Sequence, residues 1–237
     1  MLDDTDTQQP DATRRGLLGG FALASTATFL GVTLPLQLTA TRALASDDAV
    51  DGKTGLVVLN DRPLTAETPA HLLDDPITPT TRHFIRNKGI EPLEVDAATW
   101  TLTVDGLVDN PLELTSADMR DQFEVHTMAL VSECGGNGRA FFDPPASGNQ
   151  WTVGAVGCSE WTGVRLKDVL EAAGAQDNVV YTAHYGADEH LSGDPEKLPI
   201  SRGLPSDKAM TDNVLIAFEQ NGEPLHLMNG APLRLGV

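Results

Sequence analysis

From Thr99 onward the chain alternates apolar and polar positions between clusters of turn residues. "TWTLTVDGLVDNPLEL" (99–114) predicts two strands joined through Asp-Gly and Asp-Asn-Pro turns. "SADMRDQ" (116–122) predicts a short helix capped by Ser116. "FEVHTMALVSE" (123–133) has the period-two pattern of a strand, with His126 as an ordinary strand residue, and it delivers Cys134 at its end. "FFDPPASGNQ" (141–150) is too rich in proline for regular structure. "VRLKDVLEAAG" (164–174) carries apolar residues at helical spacing with Gly174 as its stop. "NVVYTAHYG" (178–186) reads as a strand, "SDKAM" (206–210) as a helical turn, and "VLIAFEQNGEPLHL" (214–227) as a hairpin about Asn221-Gly222. Strands broken by short, unevenly spaced helices predict an α+β domain with a mixed sheet.

The flanks differ. Residues 46–98, including "DRPLTAETPAHLLDDPITP", are rich in Pro, Thr and Asp and show little periodicity, so they predict an extended N-terminal arm without helix or strand. The predicted domain then runs over residues 99–237. Its last segment, "APLRLGV", reads as an apolar strand that stops without a turn or polar tail. That predicts C-terminal truncation, against the alternative of a true terminal strand.

Residues 1–45 read as an address. Arg14-Arg15 precede uncharged sequence from Gly16 to Thr41, and Ala43-Leu44-Ala45 offers a small-residue cleavage site. Paired arginines mark twin-arginine export, which places the mature chain in the periplasm or another extracytoplasmic space. An uncleaved membrane anchor is the alternative, since the span is long enough to cross a bilayer. Its Gly, Thr and Ser content and Pro35 make it weakly apolar, which favours the cleaved signal.

Length of 237 residues and 41% hydrophobic content suit a packed globular core. The net charge of −18 excludes a nucleic-acid-binding surface, which needs basic patches. It also repels small anions at long range, so any anion site must be assembled from local arginines. A saline habitat or a cationic partner would each account for such acidity.

Chemistry concentrates at "SECGGNGRAFF" (132–142), where Cys134 adjoins a run of glycines and Arg139. Two readings stand side by side. Cys134 and Cys158 are the chain's two cysteines and, in an exported protein, invite a disulfide. Alternatively, Cys134 is a thiolate ligand to a bulky cofactor, with the glycines allowing close approach of backbone. Other motifs fail: "DGKT" (51–54) lacks the first glycine of a phosphate loop because Asp47 stands there, "GCSEW" (157–161) has Trp161 where a nucleophile elbow has glycine, and the six histidines have no zinc spacing.

The stretches "HFIRNKGIEP", "SECGGNGRAFF", "GNQWTVGAVGCSEWTGVRLKDVLEAAG", "DEHLSGDPEKLPISRGLP" and "IAFEQNGEPLHLMNGAPLRL" together resemble the molybdenum domain of the sulfite oxidase family, most nearly the bacterial sulfite and sulfane dehydrogenases. The resemblance implies a molybdenum–molybdopterin cofactor with Cys134 as metal ligand. It implies that Arg86 and Arg139 are catalytic, receiving the substrate oxyanion. Phe84, Ile85, Arg86, Asn87 and Lys88 then lie along the cofactor, and Asn229 and Arg234 near its phosphate. Cys158 is expected to be a small buried residue, and Trp151 and Trp161 wall and core. In the vertebrate enzymes a histidine takes the place of Lys88, and a lysine lies where this chain has "PPASGNQW".

The activity implied is oxidation of sulfite or a related sulfane compound by oxygen-atom transfer, with electrons passing to a c-type cytochrome. The chain has no C-x-x-C-H haem site of its own. A homodimer, or a hetero-oligomer with a cytochrome subunit, is implied for the full-length protein, whose second, immunoglobulin-like domain is not in this sequence. A reductase of sulfoxides or other oxo substrates on the same scaffold, and a non-catalytic disulfide-stabilised binding or subunit protein, are the alternatives.

Overall fold

The computed structural model describes residues 50–90 and 94–237; the leader expected at 1–45 lies outside the described residues. The stretch read as an element-free arm contains three strands: β1 (Val57–Asp61), β2 (Leu64–Glu67) and β3 (Ile85–Arg86). They form an antiparallel sheet in the order β1-β2-β3. Hydrophobic periodicity missed it because its interior is largely polar. Thr65, Glu67, Thr68 and His83 are buried alongside Leu56, Ala66 and Ile85. Hydrogen bonds rather than apolar alternation allow these side chains inside.

The second half follows the predicted order. β4 (Thr101–Val104) pairs with β5 (Leu112–Thr115), and α1 (Ser116–Gln122) follows directly. The cap is Thr115, not Ser116: Thr115 is still extended, its hydroxyl accepts from the Asp118 N–H at 3.1 Å, and Asp118 accepts from the Thr115 N–H at 2.8 Å. That reciprocal box satisfies two donors that the first turn leaves without partners. β6 (Val125–Glu133) and β7 (Val156–Arg165) form a long antiparallel pair. α2 (Leu166–Ala172) precedes Gly174, whose φ of +68° is the expected helix stop.

β8 (Tyr181–Tyr185) pairs with β9 (Ser201–Pro205), a strand the sequence pattern did not announce, and α3 (Ser206–Ala209) is the predicted helical turn. β10 (Leu215–Gln220) turns through Asn221 and Gly222, both left-handed, into β11 (Glu223–Pro224). β12 (Arg234–Gly236) returns to β10. The main sheet has the order β11-β10-β7-β6 with β12 also on β10. The predicted α+β class is observed, and each of these named pairings is antiparallel.

Helix and sheet close over Met119, Val164, Leu166, Val169, Leu204, Val214, Ile216 and Phe218. Trp161 packs with Leu215, Ala217 and Leu225 in a second cluster, as expected of a core residue. Among the described residues no helix is long and apolar enough to cross a membrane. Where β7 meets β10, Gly163 opposes Ala217, and a Cβ there would lie 2.1 Å from the Ile216 carbonyl oxygen. Because backbone cannot yield as a side chain does, Gly163→Ala is expected to cost about 3 kcal/mol or more, read as a lowered midpoint in urea denaturation.

Candidate active site

β6 carries the chain to Cys134, whose N–H donates to the Ala155 carbonyl at 2.9 Å just before β7 begins. The loop then closes on the segment 151–155: Gly138 N–H donates to Thr152 O, Ala140 N–H to Trp151 O, and the Asn137 carboxamide accepts from the Ala155 N–H at 3.1 Å. Cys134 and Cys158 are both free thiols, and Cys158 faces Val131 across the ladder. The disulfide reading of the opening motif therefore fails. Cys158 is half-buried rather than fully buried as expected, whereas Trp151 is fully buried.

Two of the loop's neighbouring glycines serve an arginine. A Cβ on Gly136 would sit 2.7 Å from one terminal nitrogen of Arg139, and a Cβ on Gly148 2.6 Å from the other. The Arg139 guanidinium is thus held between two bare stretches of backbone, donating to the Asn149 carbonyl at 3.1 Å. Gly135 faces open space.

The polar N-terminal sheet is fastened to the same segment. Buried Glu67 accepts from the N–H and hydroxyl of Thr152 at 2.7 and 2.9 Å. Thr68 donates to the Gly154 carbonyl at 3.1 Å, and a Cβ on Gly154 would meet the Thr68 oxygen at 2.0 Å. The Asn149 carboxamide donates to Thr65, which pairs with Arg86 across β2 and β3. Asn149 therefore links Arg139 to the strand opposite Arg86. Lys88 lies within electrostatic range of Arg86, Arg202, Arg139 and Cys134. Burial first, then the cations Arg86 and Arg202, hold its pKa below the ordinary lysine value.

The remaining predicted residues divide. Phe84 is buried against the His83 ring at 5.0 Å and meets Trp151 edge to face at 6.1 Å, in a cluster that includes Cys134. Ile85 is committed to the core with Leu56 and Ala66, which leaves its backbone alone to meet a ligand. Asn87 donates to Met228 Sδ at 3.3 Å. Asn229 and Arg234 belong to a second, deeper cluster: Arg234 donates to the Asn229 carbonyl at 2.9 Å and lies over the Trp161 ring at 5.0 Å.

Two residues of this deeper cluster were not singled out from sequence. Lys53 is buried and donates to Thr80 O at 2.6 Å, His83 O at 3.3 Å and the Asn229 carboxamide oxygen. Burial, and next Arg234, push its pKa down to about 7. His83 is buried with Nε2 unpartnered; burial, then Arg234, lower its pKa to about 3. Burial also lowers Arg234 to about 10. None of the ion pairs among the described residues joins Lys53, Arg86, Lys88, Arg139, Arg202 or Arg234 to a carboxylate. Lys53 did lie in the rejected "DGKT" stretch, but its spacing carries no signal for a site assembled from residues 53, 83, 229 and 234.

Residues 88–237 match the oxidoreductase molybdopterin binding domain family. The chain belongs to the molybdopterin-binding oxidoreductases of the sulfite oxidase family. It is 33% identical over 188 residues to the sulfite oxidase of Gallus gallus, covering 77% of this chain and 40% of that protein. It is 36% identical over 170 residues to the nitrate reductase [NAD(P)H] of Hordeum vulgare, covering 68% of this chain and 18% of that one. The fold resembles the sulfane dehydrogenase SoxCD of Paracoccus pantotrophus with a TM-score of 0.65 and 26% identity, over 97% of this chain and 55% of that one. The chain thus spans about two fifths of the chicken enzyme and about half of the SoxCD chain.

This molybdopterin oxidoreductase has residues that fit the family's cofactor. A free, half-buried thiol on a fastened loop is a soft donor suited to molybdenum. Buried Lys53 and half-buried Arg234, held apart from carboxylates, with an unpartnered His83 nitrogen beside them, suit an anionic phosphate.

Two outcomes are expected. Unfolded lysine keeps its proton to about 10.5 whereas folded Lys53 releases it near 7, so between those values the unfolded chain binds more protons and stability rises with pH. Thermal midpoints of cofactor-free protein should climb from pH 7 to 9, and Lys53→Met should flatten that climb. Separately, Gly136→Ala displaces only the flexible end of Arg139. It should change stability by less than about 1 kcal/mol while lowering kcat/KM about tenfold, compared by melting and steady-state kinetics.

Proposed function

We propose that the protein is an exported molybdenum-dependent dehydrogenase that oxidises sulfite, or a related sulfane compound, and passes electrons to a c-type cytochrome. The observation that carries this reading is the free Cys134 thiol on the same patch as Arg86, Lys88 and Arg139, in a chain of net charge −18. A positive patch on so acidic a protein selects small anions by short-range contact. The likeness to the chicken sulfite oxidase and the Paracoccus sulfane dehydrogenase supports sulfur as the oxidised atom.

When bound, the cofactor supplies the oxygen atom and accepts two electrons. Cys134 would hold it from just beyond the end of β6. Arg86 and Arg139 approach the substrate oxygens from two directions, the first from the N-terminal sheet and the second from the cysteine loop, and offset negative charge as the new S–O bond forms. Asn149 keeps these two arginines in register. Lys53, Asn229 and Arg234 would hold the cofactor phosphate. The reaction balances as sulfite plus water giving sulfate, two protons and two electrons, and the electrons leave singly to the haem partner.

The paired arginines at 14 and 15 support export of the folded, loaded enzyme, and a homodimer or an assembly with a cytochrome subunit completes the reading. The likeness to the barley nitrate reductase favours one second reading, reduction of an oxo substrate on the same scaffold.

With full-length loaded protein, sulfite should reduce cytochrome c, whereas nitrate should not oxidise the dithionite-reduced enzyme. The opposite pattern would establish the second reading. Cys134→Ser should remove one sulfur from the molybdenum coordination shell in X-ray absorption and lower turnover at least about a hundredfold.

A further inference from the structure

The β8–β9 hairpin is docked beside Lys88. Ile90 N–H donates to the Glu189 carbonyl at 2.8 Å, forming an antiparallel bridge between the segment after β3 and the loop joining the two strands. Gly89 makes that approach possible, since a Cβ would lie 2.5 Å from the Glu189 carbonyl oxygen, 2.7 Å from Asp188 Cβ and 3.0 Å from Pro199 Cβ, so one acidic residue, Asp188, also borders this edge. Arg62, at the β1–β2 turn, adds a bond to the Leu191 carbonyl at 2.9 Å.

Side-chain alternation decides where Arg202 faces. Leu204 on β9 is buried in the main core, and Arg202, two residues earlier, lies on the same side of the strand but beyond that core, where it is exposed. Its cross-strand partner is His184, and burial keeps that ring's pKa below the ordinary value, which favours a neutral neighbour for the guanidinium. Arg202 remains accessible to solvent and donates to its neighbour's carbonyl, Ser201 O, at 2.7 Å. It is within electrostatic reach of Lys88, and no ion pair among the described residues occupies it.

We propose that Arg202 is a specificity-determining residue: carried to the site by the β8–β9 hairpin, it forms with Lys88 the outer edge of a four-cation patch that selects small oxyanions. This rests on the functional reading above and extends it. Arg86 and Arg139 lie on the elements that frame Cys134 and, like Lys88, are half-buried, whereas Arg202 is exposed and meets an entering anion first. Because Arg202 is solvent-exposed, its attraction is screened by salt, and its contribution falls as ionic strength rises.

The test is isothermal titration of sulfate, the oxidation product, into molybdenum-loaded full-length protein at low and high salt. Arg202→Ala should weaken sulfate about fivefold at low salt and less at high salt, as expected for an exposed charge. Arg202→Lys should restore most of the affinity and Arg202→Glu should lose more. Lys208→Ala, on the outer surface, should bind as wild type does. In turnover with sulfite, Arg202→Ala should raise KM by more than it lowers kcat. Unchanged sulfate affinity in Arg202→Ala, or no measurable sulfate binding by the wild type, would overturn the proposal. Sulfate binding that depends on Arg202 in an enzyme that leaves sulfite unoxidised would support the anion edge and refute the sulfur-oxidising function.

Discussion

Positive charge held apart from carboxylates governs this structure. Lys53 is buried, Arg234 depresses its basicity further, and its ammonium is tied to two backbone carbonyls and the Asn229 carboxamide instead of an acid. Burying a cation in this way is unfavourable unless an anion joins it. In a chain with 34 acidic residues, pairing with Asp or Glu would be the easy solution. Among the described residues, Lys53, Arg86, Lys88, Arg139, Arg202 and Arg234 make no such pair, and Lys53 is buried as well, an arrangement that suits an anionic ligand. A molybdopterin, with its phosphate, and an oxyanion substrate have the complementary charge.

The rest of the architecture keeps those charges in place. Glu67 and Thr68 fasten the small polar sheet to residues 152–154, and the same residues support the cysteine loop through Gly138 and Thr152. Arg86 and Cys134 are 48 positions apart in sequence but share this one strip of backbone as their reference. Asn149 repeats the device with a side chain on Thr65 and a carbonyl on Arg139. Glycine has different uses around the site. At Gly154 and Gly163 it admits another strand's backbone, while at Gly136 and Gly148 it admits a guanidinium. The glycine-rich character that suggested room for a cofactor is partly room for Arg139.

Legibility followed hydrophobic pattern. Where apolar side chains alternate or recur at helical spacing, as in β6, α2 and the β10–β11 hairpin, the elements lie where the pattern predicts them. Where burial is achieved with Thr and Glu, as in β2, the pattern is silent, because hydrogen bonds satisfy groups that composition marks as exposed. The helix cap moved by one residue for a related reason: Ser116 and Thr115 are both capable caps, and strand β5 keeps Thr115 extended.

The amino-acid sequence by itself determined the α+β class, the strand that presents Cys134 and, through resemblance, the family and its cofactor. Those follow from local periodicity and from motifs contiguous along the chain. Only the tertiary structure decided that Lys53 and His83 join Asn229 and Arg234, that Cys134 is free of Cys158, and that the β8–β9 hairpin docks beside Lys88. Each of these depends on residues brought together from distant segments, and proximity of that kind arises from packing and hydrogen bonding between sheets, which one-dimensional spacing does not encode.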